Sequence, residues 1–163
     1  MNTDLKEKEE RAIGLLKMLS SDDPFYVCYS GGKDSDCIRI LCELSGCNYE
    51  LHHNLTTVDA PETVYYVRSI VPKENIHYPE RSMWRLIVDK MIPPTRVARY
   101  CCAELKEKGG RYRKKVTGVR AAESRNRKEN GGLFKIIGDS KNTIKTAEEL
   151  NANFRLTDKG GWF

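Results

Sequence analysis

Apolar residues recur along the first half of the chain with two alternating periods. Between positions 4 and 19, Leu5, Ala12, Ile13, Leu15, Leu16 and Leu19 form a helical stripe on a segment that is acidic and then basic. Ser20-Ser21-Asp22-Asp23-Pro24 ends it as a turn. Phe25-Tyr26-Val27-Cys28-Tyr29 reads as a short buried strand, and the pair Gly31-Gly32 follows at once. From Lys33 to Ser45 the apolar positions Cys37, Ile38, Leu41 and Leu44 return to helical spacing, and Gly46 closes that helix. Tyr49, Leu51, His53 and Leu55 then alternate with Glu50, His52 and Asn54, the period of a strand.

The alternation continues further on. Asp59-Ala60-Pro61-Glu62 reads as a helix start, with Asp59 as cap, Pro61 in the first turn and Glu62 completing a capping box. Val64, Val67, Ile70 and Val71 carry that helix forward. A short strand near 75–77 comes next, then a helix bearing Met83, Trp84, Ile87 and Met91. Pro93-Pro94 breaks the chain before a short helix around Arg99–Lys108, which Gly109-Gly110 terminates, and Lys115–Val119 reads as a strand. Alternating strands and helices predict an α/β fold, a doubly wound and mostly parallel sheet with helices on both faces. Beyond 131 the pattern weakens, with Leu133–Ile137 as a strand and Thr146–Leu150 as a helical turn. The expected organisation is an N-terminal helix and turn (1–24), a glycine-loop core (25–130) and a weakly patterned C-terminal segment (131–163).

Composition narrows the class. With 163 residues, 39% hydrophobic and 31% charged, the chain suits one globular domain. No apolar run approaches the length of a membrane span, and MNTDLKEKEE lacks the apolar core of a secretory signal, so a cytoplasmic protein with no membrane partner is expected. The close at Gly160-Gly161-Trp162-Phe163 reads as an abrupt stop for a domain. The net charge of +5 hides an asymmetry: residues 1–60 hold 6 basic and 11 acidic side chains, while 96–135 holds 13 basic and 4 acidic. Such a block is either a solvated face or an attractor of phosphate, on a nucleotide or a nucleic acid. The six cysteines are expected to stay reduced. Cys28, Cys37, Cys42 and Cys47 read as small buried hydrophobes, with Cys101-Cys102 set apart as an adjacent pair. His52 and His53 point to opposite faces of their strand, which argues against a shared metal ion and leaves them, with His77, structural or exposed.

The sharpest local signal is Ser30-Gly31-Gly32-Lys33-Asp34-Ser35 between a strand and a helix. Glycines let backbone approach a phosphate, and the helix that follows aims free N–H groups and its positive dipole end at the charge. Ser30 and Ser35 add hydroxyl donors and Lys33 a full positive charge. The spacing is neither the Walker pattern nor the dinucleotide glycine pattern.

SGGKDS resembles the PP-loop signature of the adenine-nucleotide α-hydrolase superfamily. Three later segments resemble one branch of it, the phosphoadenosine phosphosulfate (PAPS) reductase family. They are Thr57-Val58-Asp59-Ala60-Pro61-Glu62-Thr63, Arg99-Tyr100-Cys101-Cys102-Ala103-Glu104-Leu105-Lys106, and Gly118-Val119-Arg120-Ala121-Ala122-Glu123-Ser124 with Arg127. All four occur in the family's order across residues 25–127. The resemblance implies an adenine nucleotide α-hydrolase-like fold in which Ser30, Gly31, Gly32, Lys33, Asp34 and Ser35 hold the phosphate or phosphosulfate of PAPS, adenosine phosphosulfate (APS) or ATP. Asp59 would contact the nucleotide or its metal, or serve only as a helix cap. Arg120 and Arg127 offer planar forks for sulfate and phosphate oxygens, with Glu123 orienting Arg120. Lys106 either reaches phosphate or lies on a solvated helix face.

In iron–sulfur members of this family, a Cys-Cys pair and a later C-x-x-C supply four thiolates to a 4Fe–4S cluster. Cys101 and Cys102 match half of that site, and the chain holds no cysteine after Cys102. A cluster is therefore expected only with a C-terminal C-x-x-C, and the tail cysteine that acts as reductive nucleophile is also missing from this sequence. Three function readings follow. In the first, a bound sulfonucleotide gives up sulfite to a cysteine, with a thioredoxin-like protein as reductant. In the second, an ATP-pyrophosphatase-type enzyme uses ATP with Mg2+ to adenylate a nucleic acid for thiolation or phosphorothioation, and the basic 96–135 block faces that nucleic acid. The third is a non-catalytic nucleotide-binding remnant. An oligomer is compatible with each.

Overall fold

The computed structural model of the chain describes residues 3–110 and 113–118. In chain order the elements are α1 (Thr3–Leu19), β1 (Phe25–Cys28), α2 (Lys33–Ser45), β2 (Tyr49–Asn54), α3 (Pro61–Ile70), a 3-10 turn (Lys73–Asn75), β3 (Ile76–His77), α4 (Met83–Lys90), a π-turn (Cys102–Lys106) and β4 (Lys115–Thr117). The four strands form one sheet in the order β3-β2-β1-β4, and every neighbouring pair is parallel. This α/β arrangement matches a Rossmann-type sheet up to its fourth strand. The expected strand at Lys115–Val119 is paired over Lys115–Thr117. The segments 133–137 and 146–150 lie outside the described residues.

Register explains which side chains form the core. Phe25 pairs with Tyr49, Val27 with Leu51 and Val116, and His53 with Ile76, so these residues share one face of the sheet. Against that face lie Leu16 of α1, Cys42 of α2 and Val67 of α3, with Val27, Cys42 and Val67 at most 1% exposed. Burying such side chains stabilises by roughly 1.5–3 kcal/mol each. Of the four cysteines read as small hydrophobes, Cys42 and Cys47 are buried and Cys28 is half-buried, while Cys37 is exposed on α2. Burial and the adjoining Cys47 push the Cys42 thiol up to about 12, so it is chemically quiet.

The opposite face is polar and aromatic. Tyr26, His52 and His77 stack across three adjacent strands, with ring centroids 3.8 Å apart for Tyr26–His52 and 5.3 Å for His52–His77. His52 Nδ1 and His77 Nε2 are 3.0 Å apart, within hydrogen-bond distance. Glu50 Oε2 lies 3.2 Å from His52 Nε2 and accepts from Arg113 at 2.6 Å. The segment leading into β4 straps this face. Asn54 Nδ2 donates to the carbonyls of Lys106 and Lys108, and Arg113 lies 5.4 Å over the Tyr26 ring. Gly109 (φ +114°) and Gly110 (φ +59°) adopt backbone that favours glycine, and a Cβ on Gly109 would stand 2.7 Å from the Tyr26 hydroxyl.

Three sequence expectations are corrected. Asp59 does not cap α3: Ala60 is the N-cap, without a side-chain hydrogen bond, while Pro61 does open the helix. Asp59 Oδ2 instead accepts from the Thr56 backbone N–H at 2.7 Å, bending the chain three residues earlier. The short helix expected around Arg99–Lys108 is present, but over Cys102–Lys106 it has π rather than α geometry, closed by Glu107 N–H on the Cys102 carbonyl. In α4 the buried residue is Leu86, whereas Trp84 and Met91 are exposed. Met91 sits past the helix end in left-handed backbone, and this turns it away from the stripe it would otherwise extend. Among the described residues no helix is long and apolar enough to cross a membrane.

The aromatic strip has a consequence for stability. Burial holds the His52 imidazole below its ordinary value, helped by His77 and Arg113 and opposed by Glu50. The folded chain therefore binds fewer protons here than the unfolded chain, and stability rises with pH across this titration. Urea unfolding should show stability falling as pH drops through about 6.5, the ordinary imidazole value. The Glu50 carboxylate, held down mainly by its Arg113 hydrogen bond, adds a separate loss below the usual carboxylate range. His52→Phe, which keeps a ring for Tyr26, should remove the slope above pH 5; an unchanged slope would refute the assignment to His52.

Candidate functional site

The loop Ser30–Ser35 sits at the C-terminal end of β1, where the strand order reverses between β2 on one side and β4 on the other. Open parallel sheets bind ligands in the crevice at such a reversal. Tyr29 continues β1 beyond its last paired residue, with its N–H on the His52 carbonyl and its own carbonyl accepting from His53 Nδ1 at 2.9 Å. Because the carbonyl can only accept, that bond requires a proton on His53 Nδ1.

Gly31 then turns the chain with φ +77°. A Cβ there would stand 2.8 Å from Val67 Cγ2 and 3.3 Å from Thr63 Cγ2, so the loop backbone lies flush on α3. Gly32 is the N-cap of α2 and supplies no side-chain cap. The first bond of the helix is Asp36 N–H on the Gly32 carbonyl, which leaves the earlier amides of the first turn aimed outward along the dipole. Ser35 is buried, and its hydroxyl donates to the Gly32 carbonyl at 2.7 Å while accepting from Ser30 Oγ at 3.2 Å. Ser35 therefore orders the loop from within. Ser30 and Lys33 are exposed, and Lys33 offers its ammonium at the first helical position.

The far side of the crevice is equally close. Gly118 follows β4, and a Cβ on it would stand 2.7 Å from the Asp34 carbonyl oxygen. The chain leaving β4 thus passes directly against the start of α2. Arg120 and Arg127, with Glu123, come next in the sequence and lie outside the described residues. Asp59 belongs to the loop after β2, at the same end of the sheet, and that loop feeds the helix that backs Gly31.

Behind the loop is a cluster that sequence reasoning passed over. Asp36 Oδ1 accepts from the Tyr29 hydroxyl at 2.6 Å, and Oδ2 accepts from the Tyr66 hydroxyl at 3.1 Å. Burial and the Asp36 carboxylate push the Tyr29 phenol up, so it remains a donor. Asp36 follows the glycine motif by one residue, but Tyr66 lies 30 residues further on and no local pattern links the two.

Cys101 and Cys102 are half-buried at the start of the π-turn, where Arg99 donates to Cys102 Sγ at 3.6 Å. Among the described residues no three His, Cys, Asp or Glu side chains are grouped to hold a metal ion. Two thiolates fall short of the four a 4Fe–4S cluster takes, so the described residues do not fit that group. The Lys106 side chain is exposed. The basic block is partly engaged in the fold. Arg113 binds Glu50, Lys108 binds Glu104, and Lys114 donates to Ser21 and to the Leu19 carbonyl.

No protein-family model, no curated protein and no solved structure matches the chain.

The geometry separates the two loop glycines. Gly31→Ala must carry a Cβ in left-handed backbone against Val67, and should cost about 1–3 kcal/mol in chemical denaturation. Gly32→Ala meets nothing nearer than Ser30 Oγ at 3.5 Å with φ −95°, and should cost less. Equal costs would show that the Gly31 contact with α3 does not shape the loop.

Proposed function

We propose that this chain binds an adenine nucleotide or sulfonucleotide by its phosphates at Ser30–Ser35, as a protein of the PAPS reductase type. The observation that carries the reading is the placement of the glycine loop. It opens an uncapped helix N-terminus at the point where the strand order reverses, between α3 on one side and the exit of β4 on the other. Backbone amides at the start of α2 and the Lys33 ammonium are the donors a phosphate or phosphosulfate group would meet, joined by the Ser30 hydroxyl once it turns its proton from Ser35. Ser35 and the glycines hold those donors in place. Arg120 and Arg127, downstream of β4, would add guanidinium forks to the same anion.

The sulfonucleotide is preferred to ATP as the ligand because the motif order Ser30–Ser35, Asp59, Cys101-Cys102, Arg120 resembles that branch. A second consideration concerns the nucleic-acid reading. It draws on the basic 96–135 block, of which Arg113 is paired with Glu50 and Lys114 is bonded to Ser21 and the Leu19 carbonyl. In the reductive reading a thiolate attacks the sulfur of the bound sulfonucleotide, the bond to the phosphate oxygen breaks, and the adenine nucleotide leaves. The loop residues bind and orient the nucleotide for that step.

Equilibrium binding tests this reading directly. PAPS or APS should bind more tightly than ATP, and Lys33→Ala should weaken the favoured ligand by about 1.5–3 kcal/mol, the scale of a hydrogen bond to a charged group. Clear ATP preference with pyrophosphate released on adding nucleic acid would overturn it for an adenylating enzyme. Unchanged affinity in Lys33→Ala would overturn the loop assignment.

A further inference from the structure

We propose that Asp36 is a positioning residue for the phosphate loop, holding it closed against α3 through the hydroxyls of Tyr29 and Tyr66. The inference rests on the nucleotide reading of Ser30–Ser35 and adds a residue that the loop motif does not contain.

Three elements meet at the loop: β1 delivers it, α2 begins with it and α3 backs it. One carboxylate joins all three. Asp36 is on α2, Tyr29 is the residue before the loop, and Tyr66 is on α3, with hydroxyl–carboxylate distances of 2.6 and 3.1 Å. Arg39 Nε lies 3.7 Å from the Tyr29-bonded oxygen and balances the charge. Tyr66 belongs to the same stretch of α3, Thr63 to Val67, that a Gly31 Cβ would strike. The clamp and the glycine contact therefore act on one short piece of helix. Should α3 move away, Gly31 loses the wall that its left-handed turn lies on, and the amides behind it lose their aim. Hydroxyl–carboxylate bonds are charge-assisted and about twice as strong as neutral ones, which suits them to holding two helices at fixed spacing.

Electrostatics alone predicts the opposite effect of removing Asp36. A carboxylate near the start of α2 repels an incoming phosphate, so its neutralisation should tighten anion binding. Positioning predicts weaker binding, and the two are separated by sign. The test compares Asp36→Asn and Tyr66→Phe with the unmodified chain, using ATP, PAPS and phosphate-free adenosine as probes and thermal unfolding as a check of folding. Tyr66 is 43% exposed, so its hydroxyl can be removed without opening the core. Both variants should lose affinity for ATP and PAPS, Asp36→Asn by about tenfold or more, while adenosine affinity stays unchanged. Hydrogen exchange of the amides at 29 and 36, which bond to the His52 and Gly32 carbonyls on either side of the loop, should accelerate in both variants of the ligand-free protein. Equal or tighter ATP and PAPS binding by Asp36→Asn, an equal loss for adenosine, or unaltered exchange would overturn the proposal. If the unmodified chain binds neither ATP nor PAPS, the nucleotide reading falls, and hydrogen exchange alone decides whether Asp36 holds the loop. Accelerated exchange would then still identify Asp36 as the clamp of the loop.

Discussion

A glycine without room for a side chain determines how this sheet meets its helices. At Gly31 the backbone turns left-handed and rests on Val67, with too little space for even a Cβ. That contact sets the distance from the end of β1 to α3, and α2 must start one residue later at Gly32. It also couples two kinds of structure that otherwise respond to different forces. Val67 is 1% exposed and belongs to the apolar core, so hydrophobic burial holds α3 down. The loop gains a rigid floor from packing that involves none of its own polar groups. A polar site built this way does not have to stabilise itself.

The two faces of the sheet divide the remaining work. The core face is apolar, and its stability grows with area and tolerates modest rearrangement. The Tyr26–His52–His77 face depends on hydrogen-bond geometry and protonation, and it holds the strap that delivers β4. β4 in turn brings Gly118 against the Asp34 carbonyl. One wall of the crevice therefore depends on hydrophobic packing and the other on a titratable polar cluster. Conditions that leave the core untouched can still affect how β4 is held.

Much of this fold was legible because its period is strong. The strand at Phe25–Cys28, the helix at Lys33–Ser45 and its left-handed close at Gly46 follow from apolar spacing and one glycine. The position of the glycine loop between β1 and α2 was legible for a different reason, since its residues are contiguous in the sequence. Asp59 was misread because an Asp before Ala-Pro-Glu fits a capping box, and sequence does not show that Thr56 N–H competes for the same carboxylate. Tyr66–Asp36 and Arg113–Glu50 span 30 and 63 residues, so their partners appear only once the strands are in register. Alternation put His52 on the face opposite Leu51 and left it either structural or exposed. It is 7% exposed because the strap covers it, a layer that no strand-length pattern can register.

Charge needs the same structural reading. The excess of basic residues in 96–135 looks, as composition, like a surface waiting for phosphate. Arg113 instead pairs with Glu50 at 2.6 Å, and Lys114 reaches back to the turn after α1. These cations join the basic second part of the sequence to its acidic first part. Of these contacts Arg113–Glu50 joins opposite charges, whereas Lys114 meets a carbonyl and a hydroxyl, so the net charge of +5 is unchanged while one cation of the block is engaged at short range. An anion drawn to the loop would meet local donors, the oriented amides at the start of α2 and the Lys33 ammonium. A site of that kind would discriminate by the shape and spacing of oxygens more than by total charge.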